Sequence, residues 1–362
     1  MKRTGLLTAS LAFGLTASVG AEPSQRALSP VVVISEFEPE ALPTILAAEA
    51  AHAAFGKVPV YIGQYGISKE HDRAIHRLPT GRYAPIFTPR REDYPERRLS
   101  AAEEKKLPAG HKGPIPGNLT SRAADERLRW GLELGRRIRD RIRAAKREGV
   151  RIDAWQFDEI WPSATKQEPQ SAAARMYLAG IVHGIAYGRP QLGDKRLRGM
   201  IFISNPARFA KVPATPDMER LLWELEHAAL RVMGEEYPVF RGDPVEAARA
   251  WAAGQAALAA RSGLGPTLAA RYAPAFNPGY NVYNNQGKWS YLNGNADDHP
   301  DAWVDQWRQA FITERMRLGA AGIGEYCFTR NNSRAAVIRA TLAAVARGVA
   351  ELLDAPKSKT GK

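Results

Sequence analysis

Short apolar runs alternate with longer stretches of helical periodicity along most of the chain. Apolar runs of strand length are predicted at residues 31–37, 58–64, 152–161, 200–204, 238–241 and 322–329, with a further strand near 280–283. Helices are predicted between them, at residues 39–55, 122–151, 172–186, 217–232, 245–261, 303–318 and 333–353. Strands that alternate with helices in this way favour a parallel α/β architecture.

The number of predicted elements indicates which α/β architecture to expect. Six clear strands, a seventh and about seven helices come close to a single (β/α)8-type (TIM) barrel with one strand irregular or missing. A doubly wound sheet is the alternative, although no glycine-rich nucleotide fingerprint follows the first strand. We expect the barrel domain to span residues 22–355, with a long irregular insertion at about 66–118 and a basic tail at 356–362.

The first residues have the pattern of an export signal. Lys2 and Arg3 precede a mildly apolar run, and small residues end that run at Ala21. We therefore expect a signal peptide at residues 1–21, cleaved after Ala21, and a secreted or periplasmic protein. The apolar run is too short to span a bilayer comfortably, so no stable membrane anchor is predicted.

Positive charge is concentrated in one segment of the chain. The formal net charge is +13, and residues 122–151 contain 11 basic and 5 acidic side chains. Apolar residues recur at helical spacing through that segment, so the arginines are expected on the exposed face of an amphipathic helix. Nucleic acid is not a predicted partner, because the sequence shows neither aromatic interleaving nor a known binding module. Cys327 is the sole cysteine, which excludes an intramolecular disulfide.

Polar residues recur where the predicted strands end. They are Glu36, Gln64, Asp158, Glu159, Asn205, Arg241 and Glu325. The carboxyl ends of parallel strands converge on one face of a barrel, where the active sites of this fold lie. The recurrence therefore predicts a polar site at that face.

The segment Ile152–Pro162 places several acids in an apolar, aromatic-rich strand. Strand alternation assigns one set of residues to the barrel interior, namely Ala154, Gln156 and Asp158. It assigns the other set to the face that packs on helices, namely Asp153, Trp155, Phe157 and Glu159. We expect Asp158 to point inward, Glu159 to lie at the strand exit and Asp153 to be structural. Buried ion pairs with arginines are the alternative role for Asp158 and Glu159.

This segment resembles the catalytic strand of the family 18 (chitinase-like) glycoside hydrolases, whose pattern is roughly F-D-G-x-D-x-D-W-E-[YF]-P. Asp153, Asp158 and Pro162 match the pattern, and Gln156 stands where the family has its middle aspartate. The acid of the family falls on Ile160, so the glutamate of this chain comes one position early. The resemblance implies a TIM-barrel glycoside hydrolase or an inactive relative of one.

Aromatic and amide side chains predict a sugar-binding cleft. Tyr283, Trp289 and Tyr291 lie in a polar, asparagine-rich stretch, and Trp161 follows the acidic strand. Aromatic faces combined with amides suit pyranose rings. The histidine and aspartate spacings match no standard metal site, so no metal and no cofactor is predicted.

The predicted function is that of an exported carbohydrate-active protein, a glycoside hydrolase with a polysaccharide or oligosaccharide substrate. Glu159 is the predicted acid, with Glu325 or Asp158 as nucleophile or base. The predicted substrate contacts are Glu36, Gln64, Gln156, Trp161, Asn205, Arg241, Tyr283, Trp289 and Tyr291. A non-catalytic glycan-binding protein on the same scaffold and a polysaccharide lyase are the alternatives.

Overall fold

The computed structural model describes residues 31–35, 37, 39–87, 121–160, 172–204, 215–236, 242–259, 272–276, 301–318, 322–323 and 335–354. Strands in these residues are β1 (Val32–Ser35), β2 (Val60–Gly63), β3 (Gly81–Tyr83), β4 (Ile86–Phe87), β5 (Trp155–Ile160), β6 (Gly199–Ser204), β7 (Ala229–Glu236), β8 (Tyr272–Phe276) and β9 (Gly322–Ile323). Helices are α1 (Leu42–Ala50), α2 (Lys69–Ile75), α3 (Ser121–Arg147), α4 (Ala172–Tyr187), α5 (Pro216–Ala228), α6 (Pro244–Ala259), α7 (Asp301–Arg317) and α8 (Ala335–Asp354).

The nine strands form one sheet in the order β3-β2-β1-β9-β8-β7-β6-β5-β4. Every neighbouring pair in this order runs parallel. A helix follows each strand except β3, which β4 follows directly. The predicted parallel α/β class is therefore confirmed.

Residues 81–87 hydrogen-bond to strands on both sides. Towards β2, the Ala84 amide donates to Ile62 O at 3.0 Å, and β3 pairs with β2 in register. Towards β5, the Gln156 amide donates to Pro85 O at 2.9 Å, and β4 pairs with β5. Pro85 has no N–H to contribute, which explains why the segment is divided into two short strands. The first and last strands of the sheet order are thus consecutive in the chain.

The predicted irregular insertion at 66–118 is wrong over its first part. Residues 69–75 form α2, and Ser68 caps its N-terminus by accepting a hydrogen bond from the His71 amide. Residues 81–87 then supply β3 and β4. The short helix and a strand interrupted by Pro85 are too brief for a periodic pattern, which is why the sequence did not indicate them. Residues 88–120 lie outside the described part of the chain.

The predicted helix 217–232 also needs correction, because its last residues form a strand. The helix α5 ends at Ala228, and β7 begins at the next residue. Leu225 and Val232 are seven residues apart, a spacing that fits a helix and so concealed the change to extended backbone at Ala229. Residues 238–241 and 280–283 lie outside the described residues, while a strand that was not predicted, β8, lies at Tyr272–Phe276.

Apolar side chains pack in two layers, one on each face of the sheet. The larger cluster lies between sheet and helices and includes Trp155 and Phe157 of β5. The smaller cluster lies on the other face and includes Val33 of β1, Ala154 before β5 and Met233 of β7. We call the larger cluster the outer cluster and the smaller one the inner cluster. This division confirms the alternation predicted for residues 154–157.

The helices α3 and α4, which flank β5, pack with their backbones unusually close. A Cβ built on Gly131 or Gly135 would lie 2.0 or 2.2 Å from the carbonyl oxygens of Tyr177 and Ile181. Gly180 faces the Leu128 carbonyl oxygen in the same way, at 2.2 Å. Small residues at the crossing therefore set the distance between these helices.

Some predictions fall outside the described residues. The signal peptide at 1–21, its cleavage site and the basic tail at 356–362 belong to this group and stay predictions. Within the described ranges, no helix has both the length and the apolar content that crossing a bilayer would need.

Candidate functional site

The carboxyl ends of the strands lie at one edge of the parallel sheet. Gln64 directly follows β2 at this edge, and Asp158 and Glu159 belong to the last part of β5. The structure therefore brings these three predicted site residues to the same end of the sheet.

Gln156 links three strands on the inner face of the sheet. Its side-chain amide donates to Ala84 O at 2.9 Å, and its side-chain carbonyl accepts a hydrogen bond from the Ser35 hydroxyl. Gln156 has no exposed surface, and Ser35 is 2% exposed. The Gln156 side chain therefore holds β1, the segment 81–87 and β5 in fixed relation. A contact of Gln156 with substrate stays a prediction.

Gly63 leaves the space through which the Gln156 side chain passes. A Cβ on Gly63 would lie 1.8 Å from Ala84 O and 2.3 Å from Nε2 of Gln156. Both contacts are far below van der Waals distance, and the first is to backbone. Glycine is therefore required at position 63, where the Gln156 side chain passes β2.

Gln64 joins the ends of β1 and β2. Its side-chain amide donates to Phe37 O, and its side-chain carbonyl accepts from the Tyr65 amide at 2.8 Å. Tyr65 is 47% exposed and pairs with Ile86 through an isolated bridge, so it stands at the same edge of the sheet. Tyr65 was not among the predicted site residues; its position one residue after Gln64 at a strand end was the available signal.

A β-bulge interrupts β5 at its two acidic residues. Phe157 pairs with Ile201 of β6 and Ile160 pairs with Ile203, so Asp158 and Glu159 together oppose one residue. That residue is Phe202, a member of the inner apolar cluster. The bulge adds one residue to β5, so the pairing with β6 is not that of a regular ladder here. The predicted directions of the Asp158 and Glu159 side chains stay predictions. The side chains of residues 158–160 lie outside the described set.

The remaining predicted site residues lie outside the part of the chain that the structure describes. They are Glu36, Trp161, Asn205, Arg241, Tyr283, Trp289, Tyr291 and Glu325. Their roles stay predictions.

A second polar cluster lies at the opposite edge, where the strands begin. Nε2 of His76 lies 2.9 Å from Oδ2 of Asp153, and Nδ1 lies 2.6 Å from Oδ1 of Asp72. Asp153 also accepts from the Tyr83 amide at 2.8 Å. Asp153 thus has the structural role that was predicted for it, and it ties the approach to β5 to strand β3.

Burial, rather than a catalytic environment, is the main reason why the pKa values of Tyr83 and Tyr61 are raised. Burial raises the pKa of Tyr83 to about 12. Its hydroxyl accepts a hydrogen bond from the Ser68 amide at 2.7 Å and lies 3.3 Å from Gly66 O. The Tyr83 side chain therefore holds the start of α2 against the sheet. Burial and then the Asp153 charge raise the pKa of Tyr61. Among the described residues, no group of three or more histidine, cysteine or acidic side chains is arranged to hold a metal.

Comparison with known proteins leaves the family open. No protein-family model and no curated protein matches the chain. A GH10 endoxylanase from a sugarcane soil metagenome aligns over 87% of this chain and 97% of its own, at 9% identity and a TM-score of 0.38. The glycotransferase of kitacinnamycin aligns over 91% of each chain, at 9% identity and a TM-score of 0.19. Likenesses this distant carry over no function.

Proposed function

We propose that this chain is a carbohydrate-active (β/α)8 barrel, and that it hydrolyses glycosidic bonds at the carboxyl edge of its sheet. The observation that carries the proposal is the β-bulge that places Asp158 and Glu159 opposite the inner-cluster residue Phe202. Bulges are frequent next to active sites, because they redirect side chains that regular alternation would bury against helices.

The hydrogen bonds of residues 81–87 support the closed barrel. These residues bond to β2 on one side and to β5 on the other. With β3 and β4 counted as one interrupted strand, the described residues contain eight strands that each have two neighbours, and a described helix follows each of the eight. Closure removes both free edges from the sheet. The doubly wound alternative would leave two edge strands.

The bulge also accounts for the displaced acid of the sequence motif. In a regular strand, Glu159 would share a face with Phe157, whose ring packs in the outer cluster. One extra residue in β5 allows Glu159 to share the inner face instead. The proposed acid can then reach the site although it comes one position before the position at which the family 18 pattern has its acid.

The proposed mechanism uses two carboxyl groups. Glu159 donates its proton to the glycosidic oxygen while the bond from that oxygen to the anomeric carbon breaks. Glu325 or Asp158 either attacks the anomeric carbon or removes a proton from the attacking water, and the net reaction consumes one water. The proposed substrate contacts are Glu36, Gln64, Trp161, Asn205, Arg241, Tyr283, Trp289 and Tyr291.

Reducing-sugar release from a polysaccharide panel tests the proposal. We expect Glu159→Gln and Glu325→Gln each to lower turnover by about a hundred-fold or more while leaving the thermal midpoint nearly unchanged. Glu133→Gln, on the exposed face of α3, is the matched control and should leave turnover intact. Loss of folding in both site variants would instead identify Glu159 and Glu325 as members of buried ion pairs.

Two other outcomes would replace the proposal. Binding to an oligosaccharide array without turnover on any bound glycan would identify a glycan-binding protein. Unsaturated products from acidic glycans, detected by absorbance, would identify a lyase. Export belongs to the proposal as well, and mass spectrometry of the protein from the cell envelope or medium should find Glu22 as its first residue.

A further inference from the structure

The amino edge of the sheet, opposite the proposed site, has a strong excess of positive charge in two adjacent segments. Residues 139–151 cover the end of α3 and its loop to β5, and residues 189–198 form the loop from α4 to β6. Together these 23 residues contain 10 basic and 3 acidic side chains, a net charge of +7. More than half of the formal net charge of +13 therefore belongs to this small part of the chain.

The two segments form one surface because specific contacts hold them together. Arg143 lies 2.9 Å from Asp194, and Arg139 donates hydrogen bonds to Lys195 O and Ile185 O. Asp194 also accepts from the Arg189 amide at 2.7 Å. These contacts fix the loop 189–198 against the last turns of α3. We call residues 139–151 and 189–198 the basic face.

Several cations of the basic face are exposed and lack ion pairs. The exposed basic residues are Arg141, Lys146, Arg147, Lys195 and Arg196, together with Arg151, which pairs with Asp72 at 3.5 Å. Apart from Arg151, none of them lies within 4.0 Å of an acidic group in the part of the chain that the structure describes. By contrast, Arg143 and Arg189 are bound to acidic groups and hold the surface together. The surface therefore presents unneutralised positive charge to an external partner.

An exposed leucine stands among these cations. Leu192 is 60% exposed, the highest value among the large hydrophobic side chains that the structure describes. Its amide donates to Arg189 O at 2.8 Å, and Gly193, with φ of 75°, turns the chain directly after it. Leu192 thus lies in a turn that is held on both sides, by the contacts of Arg189 and of Asp194. Its exposure is therefore a property of the fold rather than of a loose loop.

We propose that the basic face is a docking surface for anionic phospholipid bilayers, in which Leu192 enters the headgroup region. Basic residues near a bilayer are attracted by anionic headgroups, and an apolar side chain adds affinity by leaving water. A soluble polyanion would benefit from the cations alone, so Leu192 is the observation that favours a membrane. The proposal does not depend on the proposed hydrolase activity, because the proposed site lies at the other edge of the sheet.

Vesicle co-sedimentation of the full chain tests this proposal. We expect binding to vesicles that contain phosphatidylglycerol, little binding to phosphatidylcholine alone, and loss of binding at high salt. The double variant Lys195→Glu/Arg196→Glu should lower vesicle affinity by at least about twenty-fold, since each basic residue contributes roughly five-fold. Leu192→Ser should lower it by about ten-fold.

The matched control reverses two arginines elsewhere. Arg339 and Arg347 are exposed on α8, which packs against α1 and α7 rather than α3 or α4. Arg339→Glu/Arg347→Glu changes the net charge by the same amount and should lower vesicle affinity much less. An equal effect of the two double variants would overturn the proposal, as would an absence of preference for anionic vesicles. Binding to soluble polyphosphate with the same affinity and no dependence on Leu192 would also overturn it.

Discussion

The Ser35 hydroxyl donates a hydrogen bond to the side-chain carbonyl of Gln156, which lies 121 positions later in the chain. The bond joins the first strand to the strand that contains Asp158 and Glu159. Gln156 is fully buried, and its amide is also bonded to Ala84 O. A buried amide with both ends satisfied positions its neighbours, because moving any one strand would leave a polar group without a partner. We infer that the hydrogen bonds of Gln156 fix the position of the strand that carries the proposed acids.

The space for Gln156 predicts a severe effect of one methyl group. Gly63→Ala would place Cβ 1.8 Å from Ala84 O, a backbone atom that cannot rotate away. We expect the free energy of unfolding in urea to fall by about 3 kcal/mol. Gly56→Ala is the control, since a Cβ there meets no atom within 4 Å. Equal stability of the two variants would show that Gln156 does not cross the sheet at Gly63.

The cluster at the amino edge should affect stability without affecting turnover. Asp153→Ala removes the acceptor of the Tyr83 amide and of His76 Nε2. The free energy of unfolding should therefore fall by about 2 kcal/mol. Turnover per folded molecule should not change, because the amino edge of such a sheet contributes to stability rather than chemistry.

Asp140→Ala is the comparison for Asp153→Ala, since the Asp140 ion pairs are partly exposed and contribute little. Thermal melts of both variants, with turnover measured at a temperature where both are folded, make the check. Equal thermal midpoints of Asp153→Ala and Asp140→Ala would show that the cluster around Asp153 does not stabilise the fold.

Glu49 predicts a pH-dependent stability. Burial raises its pKa from 4.5 to about 8, and neither of its carboxylate oxygens has a hydrogen-bond partner among the described residues. The folded chain thus keeps a proton that the unfolded chain releases between these two values, and stability must fall as pH rises through this window. From pH 5 to pH 8 the loss should be on the order of 3 kcal/mol.

Glu49→Gln removes this titration, so its unfolding free energy should depend less on pH than that of the wild type. Urea unfolding of both proteins from pH 5 to pH 8 measures the difference. The exposed Glu40, replaced by Gln, is the control and should keep the wild-type slope. A wild-type slope in the Glu49 variant would contradict the assignment.

Close packing of α3 on α4 reverses the usual effect of a helical glycine. Alanine is about 1 kcal/mol better than glycine in an exposed helix. Gly180→Ala should nevertheless destabilise the protein by about 2 kcal/mol, because its Cβ would lie 2.2 Å from Leu128 O. Chemical denaturation checks the sign, with exposed Glu133→Ala expected to stay within about 0.5 kcal/mol of the wild type. A more stable Gly180→Ala protein would contradict the observed helix distance.

Long periodic segments were predictable from the sequence to within a few residues. The helix predicted at 122–151 is observed at Ser121–Arg147, and the strand predicted at 200–204 is observed at Gly199–Ser204. Their patterns extend over enough residues to distinguish a period of 3.6 from a period of 2. The junction of α5 and β7 was missed because no turn residue separates them.

The candidate site was predictable in part. Alternation along residues 154–157 correctly assigned Ala154 to one face of the sheet and Trp155 and Phe157 to the other. The partners of Gln156 could not be predicted, since Ser35 and Ala84 are far from it in sequence and none of the three belongs to a motif that demands the others. The bulge at Asp158 and Glu159 was equally hidden, because it depends on the register with β6 rather than on β5 alone.

The sequence by itself determined the parallel α/β class, the positions of its long helices and strands and the concentration of positive charge. These properties follow from local periodicity and composition, to which each residue contributes through its near neighbours. Only the tertiary structure decided that residues 81–87 join β2 to β5, that Gly63 admits Gln156 and that two acids share one bulge. Such relations depend on strand register between distant segments, and register is set by packing of the whole sheet.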